Sequence, residues 1–267
     1  MKNNKKVFSM QHNLYLKRLR KEKYFVLFMQ FLLFFAIIGL WELLTATKIM
    51  DPFFVSSPSR IVTKIGQMFA SGESWIHIGT TLYETLLGFI LATGIGTFIA
   101  MLLWFFPTLR KILSPFIIVL NALPKIALGP IIVIWFGTGT TAILFMCILI
   151  CIVITILTML NAFLACDKDK ITLMQSMGAN KFQIMFKLLL PHALNDFISV
   201  LKINVGMAWV GTIMGEYLAS KAGLGYLIVY GGQVFQIDLV MASTVILCAL
   251  AGLMYFGVSM LEKKFKR

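Results

Sequence analysis

Six stretches of about twenty apolar residues dominate this chain, and they leave it few folds to choose from. They lie near residues 25–44, 81–105, 112–135, 141–165, 194–218 and 239–260. Each is long enough to cross a hydrocarbon core of roughly 30 Å at about 1.5 Å of rise per residue. Lipid offers no water to unpaired backbone groups, so every crossing run must be helical. Composition agrees: 59% of the 267 residues are apolar and 13% are charged, against roughly 45–50% and about 25% in a soluble domain. The expected fold is all-α, a polytopic membrane protein with about six transmembrane helices in the plasma or inner membrane.

The net charge of +13 raises the question of nucleic acid, and its distribution answers it. No basic face alternates with stacking aromatics, as nucleic-acid binding requires. If the N-terminus is inside, one side of the membrane collects eighteen basic residues. These are Lys2, Lys5, Lys6, Lys17, Arg18, Arg20, Lys21 and Lys23, then Arg110 and Lys111, then Lys168, Lys170, Lys181 and Lys187, and finally Lys263, Lys264, Lys266 and Arg267. The other side has four: Lys48, Arg60, Lys64 and Lys221. The asymmetry predicts that both termini are cytoplasmic, with an added attraction to anionic membrane lipid. Residues 1–24 read as a basic cytoplasmic tail and 25–267 as the transmembrane domain. The first apolar run outlasts a signal-peptide core and ends in Trp41-Glu42, so it reads as a retained helix.

Several finer features follow. Ser57-Pro58 looks like a cap and first turn, followed by an amphipathic stretch through Phe69 that suits an interfacial helix. Ala92, Gly96 and Ala100 recur every fourth residue and permit close helix contact. The four cysteines read as small buried hydrophobes. The third run contains Pro124, Gly129 and Pro130, which interrupt helix hydrogen bonding. Two readings stand for that break: a lining of the substrate path, with Asn121, Pro124, Lys125 and Gly129 as candidates, or a kink that fits neighbouring helices. Among ionisable groups at membrane depth, Lys125 faces a polar solute or reaches for an interface, Lys202 reads as structurally paired, and Glu42 and Glu216 read as wetted helix ends. There is no Gly-x-x-x-x-Gly-Lys-Ser/Thr loop, so ATP hydrolysis is not expected of this chain.

One inside loop, about 167–192, differs from the rest. Thr172-Leu-Met-Gln-Ser-Met-Gly178-Ala-Asn-Lys-Phe-Gln-Ile-Met-Phe-Lys-Leu188-Leu-Leu190-Pro191 reads as two short amphipathic helices broken at the glycine, with Phe182, Met185, Phe186 and Leu189 as one apolar stripe. The loop resembles that of the permease subunits of binding-protein-dependent ABC importers, in which a Glu-Ala-Ala triplet precedes a glycine and then a Leu-Pro at fixed intervals. Asp167, Gly178 and Leu190-Pro191 match, while Thr172, Leu173 and Met174 stand where the triplet would be. The stretches Leu123–Gly137 and Ala219–Ile228 resemble the nitrate, sulfonate and taurine branch, which includes carriers of thiamine pyrimidine precursors.

The resemblance implies an ATP-driven importer of a small anionic or polar solute, built as a homodimer of this chain. Two separate ABC ATPase subunits hold ATP and Mg, no cofactor binds this chain, and an extracytoplasmic substrate-binding protein sits opposite. It also implies an ATPase-coupling role for Asp167, Thr172, Leu173, Met174, Gly178, Ala179, Phe182, Phe186, Leu190 and Pro191. Two other classes compete. A secondary transporter would need matched halves and mid-depth acids, neither of which the sequence displays. A membrane-embedded hydrolase would have to draw on His192, Asn195 and Ser259, with nothing to bring them together.

Overall fold

The computed structural model describes residues 10–72 and 74–265; Lys2, Lys5, Lys6, Lys266 and Arg267 of the expected topology signal lie outside them. Every regular element among the described residues is helical. Contacts divide the chain into two units, Met1–Thr63 and Lys64–Arg267. In the first, α1 (Met10–Ala46) runs unbroken from the basic tail through the first apolar run. A continuous helix across both reflects good helix formers on either side of Tyr24 and no proline or glycine before Gly39. Its apolar side chains from Tyr24 to Leu33 are exposed, as a lipid-facing surface requires. Glu42 is a capping acceptor: its carboxylate takes hydrogen bonds from the Ser59 backbone N–H (3.0 Å) and hydroxyl (2.7 Å), at the start of α3 (Pro58–Ala70). The short α2 (Pro52–Val55) intervenes, capped by Asp51.

The second unit is built on α4 (Ser74–Phe105), α7 (Thr140–Leu164) and α11 (Leu194–Ala219). Small residues let these three backbones nearly touch. A Cβ on Gly211 would lie 2.6 Å from the Cys147 Cα, one on Gly215 2.8 Å from the Ile143 Cα, and one on Gly96 2.7 Å from the Thr155 Cβ. Ala92 and Ala100 are fully buried beside Gly96, as the four-residue spacing predicts. At that separation, dispersion contacts and short polar bonds replace the hydrophobic drive that lipid cannot supply. Asn204 of α11 supplies the polar bonds, donating to Thr93 of α4 (2.9 Å) and Thr155 of α7 (2.7 Å). Cys147, Cys151 and Cys166 are buried free thiols, and Cys248 is exposed.

The third apolar run is not one straight span. It forms α5 (Pro107–Ala122), a 3-10 turn (Lys125–Leu128) and α6 (Gly129–Phe136), and the two halves meet at 89°. Leu123 is extended and Pro124 removes a donor, so the helical bonds of α5 cannot pass into α6. Among the described residues, five helices are long and apolar enough to span, or six if the bent pair is one span. The last, α13 (Ile237–Phe265), is tied to α11 by a Lys202–Glu262 ion pair, the structural pairing expected of Lys202.

Because Gly211 faces backbone, Gly211→Ala must part α7 from α11 and should cost about 1–3 kcal/mol. Gly94→Ala, whose Cβ would meet nothing within 4 Å, should cost nothing. Thermal unfolding of the two variants in detergent checks this; equal melting temperatures would refute the close-contact account.

Candidate functional site

The segment joining α7 to α11 is a hinge fixed at both ends by its own hydrogen bonds. Asp167 caps α8 (Lys168–Ser176) by accepting from the Asp169 N–H at 2.9 Å. Gly178 then takes φ +81°, a left-handed conformation that side chains resist. Two bonds close the helix end: Gly178 N–H to Gln175 O and Ala179 N–H to Met174 O, both 2.9 Å. That is the paired reversal that ends many helices. No atom lies within 4 Å of a Cβ at Gly178, so backbone geometry and not crowding demands glycine.

Two residues later, Asn180 and Gln183 form a reciprocal cap on α9 (Lys181–Ile184). Asn180 accepts from Gln183 N–H at 2.8 Å, and Gln183 accepts from Asn180 N–H at 2.9 Å. The Asn-x-x-Gln spacing was available in the sequence as a capping-box signature, and it passed unread.

The stripe expected over Phe182, Met185, Phe186 and Leu189 is split. Met185 and Leu189 are fully buried with Ile184 in a core shared with Leu103, Met159 and Phe163. Phe182 and Phe186 are more than half exposed, and so are Leu173 and Met177. A π-turn spans Met185–Leu189. Its wider turn rotates the following side chains away from ordinary helical register. One apolar set therefore anchors the segment while another stands clear. Thr172, in place of the family acid, bonds back to Lys168 O at 2.9 Å; Met174 and Ala179 pack partly into the core. Leu190 and Pro191 open α10 (Leu190–His192), which leads into α11.

The interrupted helix brings its candidates together less tightly. Lys125 enters an apolar crevice of about 150 Å³ with Leu120, Leu123, Leu128 and Val153. It has no ion pair among the described residues. Gly129 is buried where a Cβ would lie 2.3 Å from the Leu218 side chain, so glycine lets α6 rest on α11. Asn121 and Pro124 are exposed.

A second polar centre was missed. Glu216, expected to be wetted, is 1% exposed. The chain folds back over it: Gly223 (φ +124°) and Gly225 approach so closely that a Cβ on either would lie within 2.7 Å of the carboxyl. Three successive backbone donors entering α12 (Leu224–Gln233) are each met from a spanning helix. Gly223 N–H bonds His77 Nδ1 (3.0 Å), Leu224 N–H bonds Thr81 Oγ1 (2.7 Å), and Gly225 N–H bonds Glu216 Oε2 (2.6 Å). Glu84, one turn beyond Thr81, is likewise 1% exposed. It lies at the very start of an apolar run, where the sequence reading passed over it. The Gly-Leu-Gly after Glu216 was the available signal, since closely spaced glycines mark a close backbone approach.

Among the described residues, a bundle of spanning-length helices with a capped inter-helix segment and an interrupted span defines the class of a polytopic membrane transport component. Residues 85–267 match the family of binding-protein-dependent transport system inner membrane components, and the chain belongs to that family. It is therefore a multi-pass inner-membrane permease, and the stand-alone carrier and hydrolase readings fall away. It is 25% identical over 233 residues to the taurine transport system permease protein TauC of Escherichia coli, covering 85% of each chain. It is 26% identical over 228 residues to the putative aliphatic sulfonates transport permease protein SsuC of Bacillus subtilis, covering 85% of this chain and 83% of the relative. In fold it is similar to a chain of a bacterial ABC transporter that imports the acidic polysaccharide alginate, with a TM-score of 0.66, 15% identity, and 96% and 100% of the two chains covered.

Glu216→Ala strands the Gly225 donor and opens a hole beneath the glycines, a loss of about 1–3 kcal/mol. Glu216→Gln keeps an acceptor of the same shape and should lose less. Melting of the two variants in detergent should rank Ala below Gln below wild type; indistinguishable variants would show that the carboxyl caps nothing.

Proposed function

We propose that the chain is the permease subunit of an ATP-driven importer and that its α8–α10 segment is the part held by separate ATPase subunits. The observation that carries this reading is the division of the segment: Ile184, Met185 and Leu189 buried, Leu173, Met177, Phe182 and Phe186 exposed, with Gly178 between the two helices. An exposed apolar set on a rigidly capped hinge suits a groove on a partner protein. Asp167, Thr172, Met174, Ala179, Leu190 and Pro191 give that set its position. ATP and Mg sit on the ATPase subunits, a second copy of this chain completes the path, and an extracytoplasmic binding protein delivers solute from the other face. Both termini and the segment are cytoplasmic, in line with the eighteen-to-four distribution of basic residues. Residues 1–24 are then the cytoplasmic tail and 25–267 the permease domain.

The solute is small and anionic or polar, of the sulfonate, taurine, nitrate or pyrimidine-precursor type. Lys125 supports this choice: a single cation in an apolar crevice of an interrupted span, beside Asn121, Pro124 and Gly129, attracts an anionic group where little else competes. ATP binding drives the two faces open in turn only insofar as nucleotide binds the two conformations unequally.

Two variants of the assembled transporter separate these roles. Gly178→Val forces a β-branched residue into a left-handed turn at about 1–3 kcal/mol; it should abolish solute-stimulated ATP hydrolysis. Lys125→Ala should abolish uptake while the ATPase still copurifies. Retained stimulation in the first would refute the coupling role, and normal uptake in the second would take Lys125 out of the path.

A further inference from the structure

The turn where α4 passes into α5 forms a groove that the transport reading leaves unused. Phe105, Phe106, Pro107, Thr108 and Leu109 line it, with Lys181 entering from α9, and it encloses about 530 Å³. Apart from the Lys181 ammonium and the Thr108 hydroxyl, its walls are aromatic and aliphatic. Phe106 and Leu109 are exposed. Phe105 packs its ring against Phe182 at 4.9 Å, so the groove borders the coupling segment itself.

Position and charge select the occupant. The groove lies at the end of a 32-residue spanning helix, the level at which acyl chains give way to headgroups. The charge next to it along the chain has one sign. Arg110 and Lys111 follow Leu109 in the chain, and Lys187 follows Lys181 in the coupling segment. No acidic residue occurs from Thr85 to Cys166, or from Lys170 to Asn195. A zwitterionic headgroup gains little from such a field, whereas an anionic one gains about 1 kcal/mol per nearby basic residue. A soluble phosphate would meet Lys181 but leave the aromatic wall bare.

We propose that this groove seats one anionic phospholipid of the cytoplasmic leaflet, with its phosphate at Lys181 and an acyl chain along Phe106 and Leu109. The proposal rests on the reading that this end of the bundle is cytoplasmic. A lipid seated there touches both the α4–α5 turn and the first residue of α9, and so braces the coupling segment against the spanning helices.

The test uses the full chain assembled with its ATPase in nanodiscs that carry a photoactivatable phosphatidylglycerol or the matching phosphatidylcholine, with labelled peptides mapped by mass spectrometry. Phosphatidylglycerol should label residues 105–109 and Lys181 several-fold more than phosphatidylcholine. Lys181→Gln, at an exposed position that the fold does not need, should cut phosphatidylglycerol labelling about fivefold. Leu109→Trp fills the groove and should cut labelling by both lipids. Equal labelling by the two lipids, or wild-type labelling of Lys181→Gln, would overturn the proposal. Gly178→Val in the same discs keeps the two readings apart: if it stays coupled while phosphatidylglycerol still labels the groove, the coupling assignment fails and the lipid site stands.

Discussion

The structure depends on the near-contact of α4, α7 and α11. Within a bilayer, burying a leucine against another helix gains little over leaving it in lipid, so association must come from fit and from polar bonds. Here both are supplied at the same places. Glycines 96, 211 and 215 let backbones approach to distances that a single methyl would forbid, and Asn204 then reaches two threonines on two helices at once. Within residues 64–267, these three helices position the elements that pack on them. The segment proposed to couple to the ATPase is the connection between α7 and α11, and α12 is pinned by acceptors from α4 and α11.

In the proposed transporter, that arrangement is what would let a short segment act at a distance. Met185 and Leu189 are rooted among residues of α4 and α7, so a pull on the exposed residues around Gly178 bears on the three-helix core and not on a loose loop. The caps on either side of the glycine remove the slack that would otherwise absorb the motion. At the opposite end, Glu216 ties the start of α12 to the same core. A displacement of α11 therefore carries both ends together. In the proposed transporter, this is the route by which nucleotide-driven movement reaches the solute path.

Much of this was legible in the sequence, and the parts that were not share a cause. Helices in lipid announce themselves by length and hydropathy, and Pro124 with Gly129 announces a break, because both signals are local. Gly178 was readable for the same reason. The 89° bend was not, since its angle is set by α6 resting on α11 through Gly129 and Leu218. The Phe182–Leu189 stripe was misread because its periodicity does not show which of its side chains the core takes: Met185 and Leu189 enter it and Phe182 and Phe186 do not. Glu216 was misjudged because a carboxyl near a helix end is ordinarily wet, and here the loop through Gly223 and Gly225 folds back over it. The family resemblance came from spacing that survives the loss of its acidic triplet, since the hinge geometry needs the glycine and the caps but not that acid.

The central claim is that the residues around Gly178 are gripped by a separate motor on the cytoplasmic side, and Met177, 79% exposed, is the place to test it. In a Cys248→Ser background, where the remaining native thiols are buried, a Met177→Cys chain assembled with its ATPase should form a short-range cross-link to that subunit. The thiol should also resist membrane-impermeant reagents added outside intact cells. Labelling from outside, with no cross-link to the ATPase, would contradict the account.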